Sequence, residues 1–100
     1  MLLVLWEYEV KSEAIEEFES LYRPDGVWGD LFRQATGFVS ITLWRDRKSR
    51  NRYMVADRWT SELLYEEFMR ERATDIAALN ERSGRTRTRE VAVGRFDLTE

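Results

Sequence analysis

The stretch LLVLWEYEV, Leu2 to Val10, constrains this chain most: it alternates as a strand, yet its first half is apolar on both faces. Val4, Trp6, Tyr8 and Val10 fall on one side, and Leu3, Leu5, Glu7 and Glu9 on the other, at the two-residue period of a strand. A second stretch, Phe38 to Arg45, repeats the pattern. There Phe38, Ser40, Thr42 and Trp44 are expected on one face, with Val39, Ile41 and Leu43 on the other. A sheet built from such strands needs cover on both faces.

Between these stretches the period becomes helical. Ser12 offers an N-cap, with Glu13, Glu16 and Glu17 near the positive end of the helix dipole. Ala14, Ile15, Phe18, Leu21 and Tyr22 then form one apolar stripe. Arg23-Pro24-Asp25-Gly26 breaks this helix. A shorter helical pattern follows, with Val27, Trp28, Leu31, Phe32 and Ala35 on a common side and Gly37 placed to end it. The polar run from Arg45 to Asn51 reads as a hairpin loop into a third strand, Arg52 to Trp59. One long helix is expected from Ser61 to about Leu79, followed by a loop, NERSGR, and a last strand from Thr86 to Phe96.

The order strand, helix, strand, strand, helix, strand is that of an α+β, ferredoxin-like βαββαβ fold with an antiparallel four-stranded sheet. One hundred residues make a single domain, 1–100. Its helices cover one face of the sheet only. The sheet of another copy is the simplest cover for the second face, so a homodimer through the sheet face is expected.

Composition removes several classes of function. A net charge of −3 gives no general attraction to nucleic acid or to an anionic membrane. MLLVLW is too short to span a bilayer and lacks the flanks of a signal peptide, so a cytoplasmic protein is expected. Cysteine and histidine are both absent. Zinc, copper and haem therefore lack their usual side-chain ligands, and the commonest general base near neutral pH is missing. Chemistry here has to use carboxylates, tyrosines, arginines, the backbone or the substrate itself.

Several residues invite two readings. Trp59 and Tyr65 flank the switch from strand to helix; either they pack a corner, or they line a pocket with Tyr8 and Tyr53, whose rings suit a flat apolar ligand. Arg72 falls within the apolar stripe of Leu64, Tyr65, Phe68, Ile76 and Leu79. It either escapes to solvent or pairs with Asp75, or it faces a cavity and stabilises an anion. Asp57 and Glu7 are the carboxylates nearest the expected pocket or sheet surface. Desolvation would make either a base, while Asp57 is also suited to brace the turn at Thr60-Ser61. Arg85, Arg87 and Arg89 alternate with Thr86 and Thr88, so one face of the strand start is expected to carry three guanidinium groups and to guard a sheet edge.

Gly37-Phe38, Leu43, Arg45-Asp46, Tyr53, Asp57-Arg58-Trp59, Ser61 and Phe68, in this order and at these intervals, resemble the antibiotic biosynthesis monooxygenase family. The resemblance spans nearly the whole chain and implies a dimeric α+β barrel, with a pocket between sheet and helices in each subunit. Quinone-forming members oxidise polycyclic aromatic phenols with molecular oxygen and no bound cofactor. Trp59 and Tyr65 match pocket positions of those members, whereas the position of a pocket Asn is Val55 here. The haem-degrading branch uses an Asn, the Trp and a helix His; only Trp59 is kept, and Met69 stands about where the His would be. The resulting expectation is a cofactor-free monooxygenase acting on an electron-rich aromatic or polyketide-like molecule. Trp59, Tyr65 and Arg72 are its candidate catalytic groups, and Tyr8, Tyr53, Phe68 and Asp57 its candidate substrate contacts. The alternative is a non-catalytic binding or dimerisation module of the same fold.

Overall fold

The computed structural model describes residues 1–100 and contains, in order, β1 (Leu2–Val10), α1 (Ile15–Tyr22), α2 (Val27–Phe32), β2 (Phe38–Arg45), β3 (Arg52–Trp59), α3 (Glu62–Glu71), α4 (Ala73–Gly84) and β4 (Arg87–Asp97). The strands form one antiparallel sheet in the order β2-β3-β1-β4. The expected ferredoxin-like fold is thus the fold observed. Its two inner strands, β1 and β3, carry the buried alternating positions. Leu2, Val4, Tyr8 and Val10 from β1, and Tyr53, Val55, Asp57 and Trp59 from β3, face the helices.

The helices close that face with Phe18, Leu21 and Tyr22 from α1, Trp28 and Phe32 from α2, and Tyr65 and Phe68 from α3. Each large apolar side chain removed from water in this way contributes roughly 1.5–3 kcal/mol, and that burial holds the helices to the sheet. The end of α4 is fastened by polar contacts instead. Trp28 Nε1 donates to Ser83 Oγ at 2.9 Å, and the Ser83 hydroxyl donates to the Leu79 carbonyl at 2.7 Å. Ser61 caps α3, its side chain accepting from the Leu64 N–H at 3.2 Å, so the strand-to-helix switch after Trp59 has a local cause.

The opposite face of the sheet has no cover within the chain. Leu3, Leu5, Met54 and Ala56 are half-buried there, while Trp44 is 61% and Phe96 47% exposed.

Several local expectations are corrected. Strict alternation puts Phe38 beside Trp44, but the pairing of β2 with β3 shifts between Phe38 and Ser40. The extra residue, Val39, turns Phe38 to the helix side against Trp59, with ring centroids 5.4 Å apart. Ser12 does not cap α1: a 3₁₀ turn over Ser12–Ala14 precedes the helix, and the Ser12 hydroxyl accepts from Asn51 Nδ2 at 3.0 Å. The long helix is two helices meeting at Arg72, whose φ of −108° and ψ of 25° depart from helical values. The segment NERSGR is the last turns of α4, not a loop, apart from Arg85, which follows its end.

The three arginines do not share a face. Arg85 lies at the end of α4, and a register shift between Glu9 and Val10 of β1 places Arg89 and Arg87 on opposite sides of β4. The Arg87 side chain is only 8% exposed.

Candidate functional site

A cavity of ≈ 170 Å³ lies between the inner face of the sheet and the helices. Trp6 and Tyr8 of β1, Ile41 of β2, and Val55 and Asp57 of β3 make its floor. Tyr22, Trp28 and Phe32 close one side; Tyr65, Met69 and Ile76 close the other. Asn80 and Glu90 are the exposed members of the wall and mark the mouth. The volume is close to the ~150 Å³ known to take one benzene ring, and below the roughly 300–1,000 Å³ of a site that encloses a drug-sized ligand. One ring fits fully inside; the rest of a larger molecule has to project through the mouth.

The wall is aromatic because residues far apart in sequence converge on it. Ring centroids run from Tyr8 to Tyr22 at 5.1 Å, on to Trp28 at 5.9 Å and to Phe32 at 5.5 Å. From Phe32 they continue to Trp59 at 5.2 Å, and from Trp59 to Tyr65 at 5.2 Å, both edge-on. Such edge-to-face, tilted and stacked pairs set ring orientation beyond simple area burial.

Asp57 is the chemical exception in this wall. Its residue is 5% exposed, and Oδ1 is enclosed with no hydrogen-bond partner. Burial without a compensating cation disfavours the carboxylate and pushes its pKa up from 3.8 to about 7. An aspartic acid of this kind is half-ionised near neutrality and exchanges protons with a weakly acidic group beside it. It does not brace the turn after Trp59; Ser61 does that.

Tyr65 stands on the wall, its hydroxyl held protonated by burial and by the negative charge of Asp57. Arg95 fixes the ring from the other side, its guanidinium 5.0 Å from the ring centroid and ion-paired to Glu62 and Glu66. Tyr8 also lines the cavity, its hydroxyl pushed well above the ordinary tyrosine value by burial. Trp59 is wholly buried one layer behind, packed on Tyr65, Phe32, Phe38 and Phe68, with Nε1 unpartnered.

Other expected site residues lie elsewhere. Tyr53 is off the cavity: it packs on Phe18, its hydroxyl donates to Glu19, and burial followed by Glu19 pushes it up to about 12. Phe68 backs Trp59 and does not reach the wall. Arg72 is off the wall as well. Its Nε donates to Asp75 Oδ2 and its Nη1 to Gln34 Oε1, both at 2.7 Å, the helix-surface pairing that its spacing from Asp75 allows. Glu7 points to the other face of the sheet, where Arg52 holds its carboxyl below the usual range.

The mouth was not foreseen. Arg87 turns inward there: Nη1 donates to the Tyr22 hydroxyl at 2.8 Å and Nη2 to Asn80 Oδ1 at 2.9 Å, with Glu90 Oε2 at 3.1 Å. No sequence signal separates Arg87 from Arg89, because the bulge that does so depends on pairing with β1.

Sheet, helices and cavity together make a ferredoxin-like α+β domain with an aromatic cavity beneath its helices. The chain belongs to the antibiotic biosynthesis monooxygenase family, which matches residues 1–74. Among solved structures it is similar to SnoaB, a cofactor-independent oxygenase from Streptomyces nogalater, with a TM-score of 0.79 and 21% identity over 99% of this chain and 93% of that one. A putative antibiotic biosynthesis monooxygenase from Bordetella bronchiseptica has a TM-score of 0.76 and 18% identity over 99% and 97% of the two chains. A variant of MhuD with two manganese protoporphyrin IX molecules bound per active site has a TM-score of 0.73 and 19% identity over 100% and 96%. At these identities the likeness concerns the fold. A search of the curated proteins finds no match. No helix is long and apolar enough to cross a membrane.

Proposed function

We propose that this protein is a cofactor-independent oxygenase of flat, electron-rich phenols or enols, with Asp57 as the general base. The single observation that carries the reading is the buried, unpartnered Asp57 carboxyl, opening on an aromatic cavity with a pKa of about 7. Asp57 takes a proton from the substrate and leaves a delocalised anion in a dry site, where the anion is a strong one-electron donor to dioxygen. Recombination of the substrate radical with superoxide gives a peroxide anion. Its breakdown oxidises a ring methylene to a carbonyl: the carbon loses two hydrogens, one oxygen atom stays and the other leaves as water. The substrate supplies all four electrons. Asp57 returns its proton as water departs.

Tyr65 donates a hydrogen bond to the substrate oxygen, and Trp59 holds the Tyr65 ring edge-on. Val55, on the wall at the position where quinone-forming members carry an Asn, removes one polar group, and Asp57, two residues on along the same face, supplies another. Arg72 takes no part. The uncovered sheet face supports a homodimer in which each subunit keeps its own cavity.

Val55 also favours a second reading, a binding module without turnover. Dioxygen uptake with anthrone-type or hydroquinone substrates separates the two. Uptake with a carbonyl product, weakened in Trp59→Phe and Tyr65→Phe, supports the oxygenase. Tight binding without uptake supports the binding module.

A further inference from the structure

The cavity has a second polar feature, and it sits at the opposite end from Asp57. Asp57 pairs with Val4 of β1 and Glu90 with Tyr8, so the two carboxylates are four residues apart along that strand, about 13 Å. Between them the wall is mostly apolar. Asp57 is 5% exposed, whereas Asn80 and Glu90 are exposed and mark the mouth, with the 8% exposed Arg87 side chain held between them.

Arg87 organises the mouth through what it can and cannot do. A guanidinium only donates, so the group facing it on Asn80 has to be the carbonyl oxygen, as the 2.9 Å contact from Nη2 has it. That bond turns the Asn80 amide, leaving both N–H groups of Nδ2 without a partner in the chain. Tyr22 likewise accepts from Arg87, which directs its own proton elsewhere. Burial raises the Tyr22 hydroxyl above the ordinary tyrosine value, so it keeps that proton. The charge of Arg87 is already matched by Glu90 at 3.1 Å. The mouth therefore presents amide donors beside a carboxylate, with no spare positive charge.

We propose that Asn80, Arg87 and Glu90 form a selectivity rim that accepts an uncharged carbonyl, such as an ester or ketone, on the part of the substrate projecting from the cavity, and rejects a carboxylate there. The proposal rests on the cavity being the substrate site. It gives Asp57 a reason to be a base, because a rim that excludes anions admits the neutral substrate and the charge is made inside. Asn80 and Glu90 are specificity residues; Arg87 is a positioning residue that orients Asn80.

The test measures binding alone, at neutral pH, for three probes. One is a naphthol with a methyl ester on the ring far from its hydroxyl; the others are the corresponding free acid and the unsubstituted naphthol. Wild type is expected to bind the ester about three- to tenfold more tightly than the unsubstituted naphthol, the range of one or two good hydrogen bonds, and to bind the acid more weakly than either. Glu90→Gln leaves Arg87 unmatched at nearly constant shape, and the order of ester and acid should reverse. Asn80→Ala should remove the advantage of the ester over the unsubstituted naphthol.

An ester-to-acid order that survives Glu90→Gln overturns the proposal. So does a wild type indifferent to the three probes or unable to bind any of them, or an Asn80→Ala variant that loses ester and naphthol equally. Dioxygen uptake is scored separately. Discrimination at the rim without uptake rejects the oxygenase and leaves the rim standing; uptake without discrimination does the reverse.

Discussion

Asp57 and Trp59 stand two residues apart on the helix-facing side of β3, and each encloses a polar atom with no hydrogen-bond partner, Oδ1 of the first and Nε1 of the second. Leaving such atoms unsatisfied costs about 1–3 kcal/mol each. A small domain has little stability to spare, so two such costs on neighbouring positions of one strand face point to a use outside folding. The use proposed here is proton transfer by Asp57 and orientation of Tyr65 by Trp59.

The first prediction concerns stability. The folded-state pKa of Asp57 is raised from 3.8 to about 7, so the fold favours the protonated form. Its contribution is fully present below about pH 4 and is lost as pH rises through 7. Integrated over that window, the loss is about 4 kcal/mol. Wild type should therefore unfold at lower urea at pH 8 than at pH 5, and Asp57→Asn should flatten the difference and be the more stable protein at pH 8. Parallel unfolding midpoints for the two proteins across this range would show that Asp57 is not buried as described.

Arg72 gives the second prediction. It pairs with Asp75 and Gln34 on a partly exposed surface, the Arg72 and Asp75 side chains being 32% and 56% exposed. Exposed pairs contribute roughly 0–1 kcal/mol. Arg72→Met should cost no more than that in chemical denaturation and leave turnover at the wild-type level. A large loss of turnover in a folded variant would restore the anion-stabilising role that its place in the apolar stripe first suggested.

How much of this was legible in the sequence depends on whether a feature is local. Periodicity gave the order of strands and helices because each pattern is read within one segment. The switch from strand to helix between Trp59 and Tyr65 is local in the same way, whereas a pocket role for the two came from the family resemblance. Phe38 and Arg87 were misplaced because each lies beside a bulge, and a bulge is defined by pairing with a strand distant in sequence. The break at Arg72 has no proline or glycine to announce it. The partner of Arg72 was half legible: Asp75, three residues away, was foreseen, while Gln34 comes from another part of the fold. That Asp57 has no partner at all is a fact about its surroundings, which no spacing reports.

The third prediction concerns assembly. Trp44, 61% exposed, and Phe96, 47% exposed, stand on the uncovered face with Leu3, Leu5 and Met54. An apolar sheet face of this kind fits a second copy of itself. Sedimentation velocity should find a dimer for wild type and a shift to monomer for Trp44→Lys. A folded wild-type monomer at working concentrations would reject the homodimer without touching the cavity.

Proton transfer by Asp57 is read from the initial rate of dioxygen consumption with an anthrone-type substrate, followed from pH 5 to 9 in wild type and in Asp57→Asn. The rate in wild type should climb through an inflection near 7, where Asp57 ionises. In Asp57→Asn it should fall by at least about a hundredfold, the ordinary contribution of a positioned base, and the inflection should vanish. An Asp57→Asn protein that keeps both the wild-type rate and its pH profile would exclude Asp57 as the base.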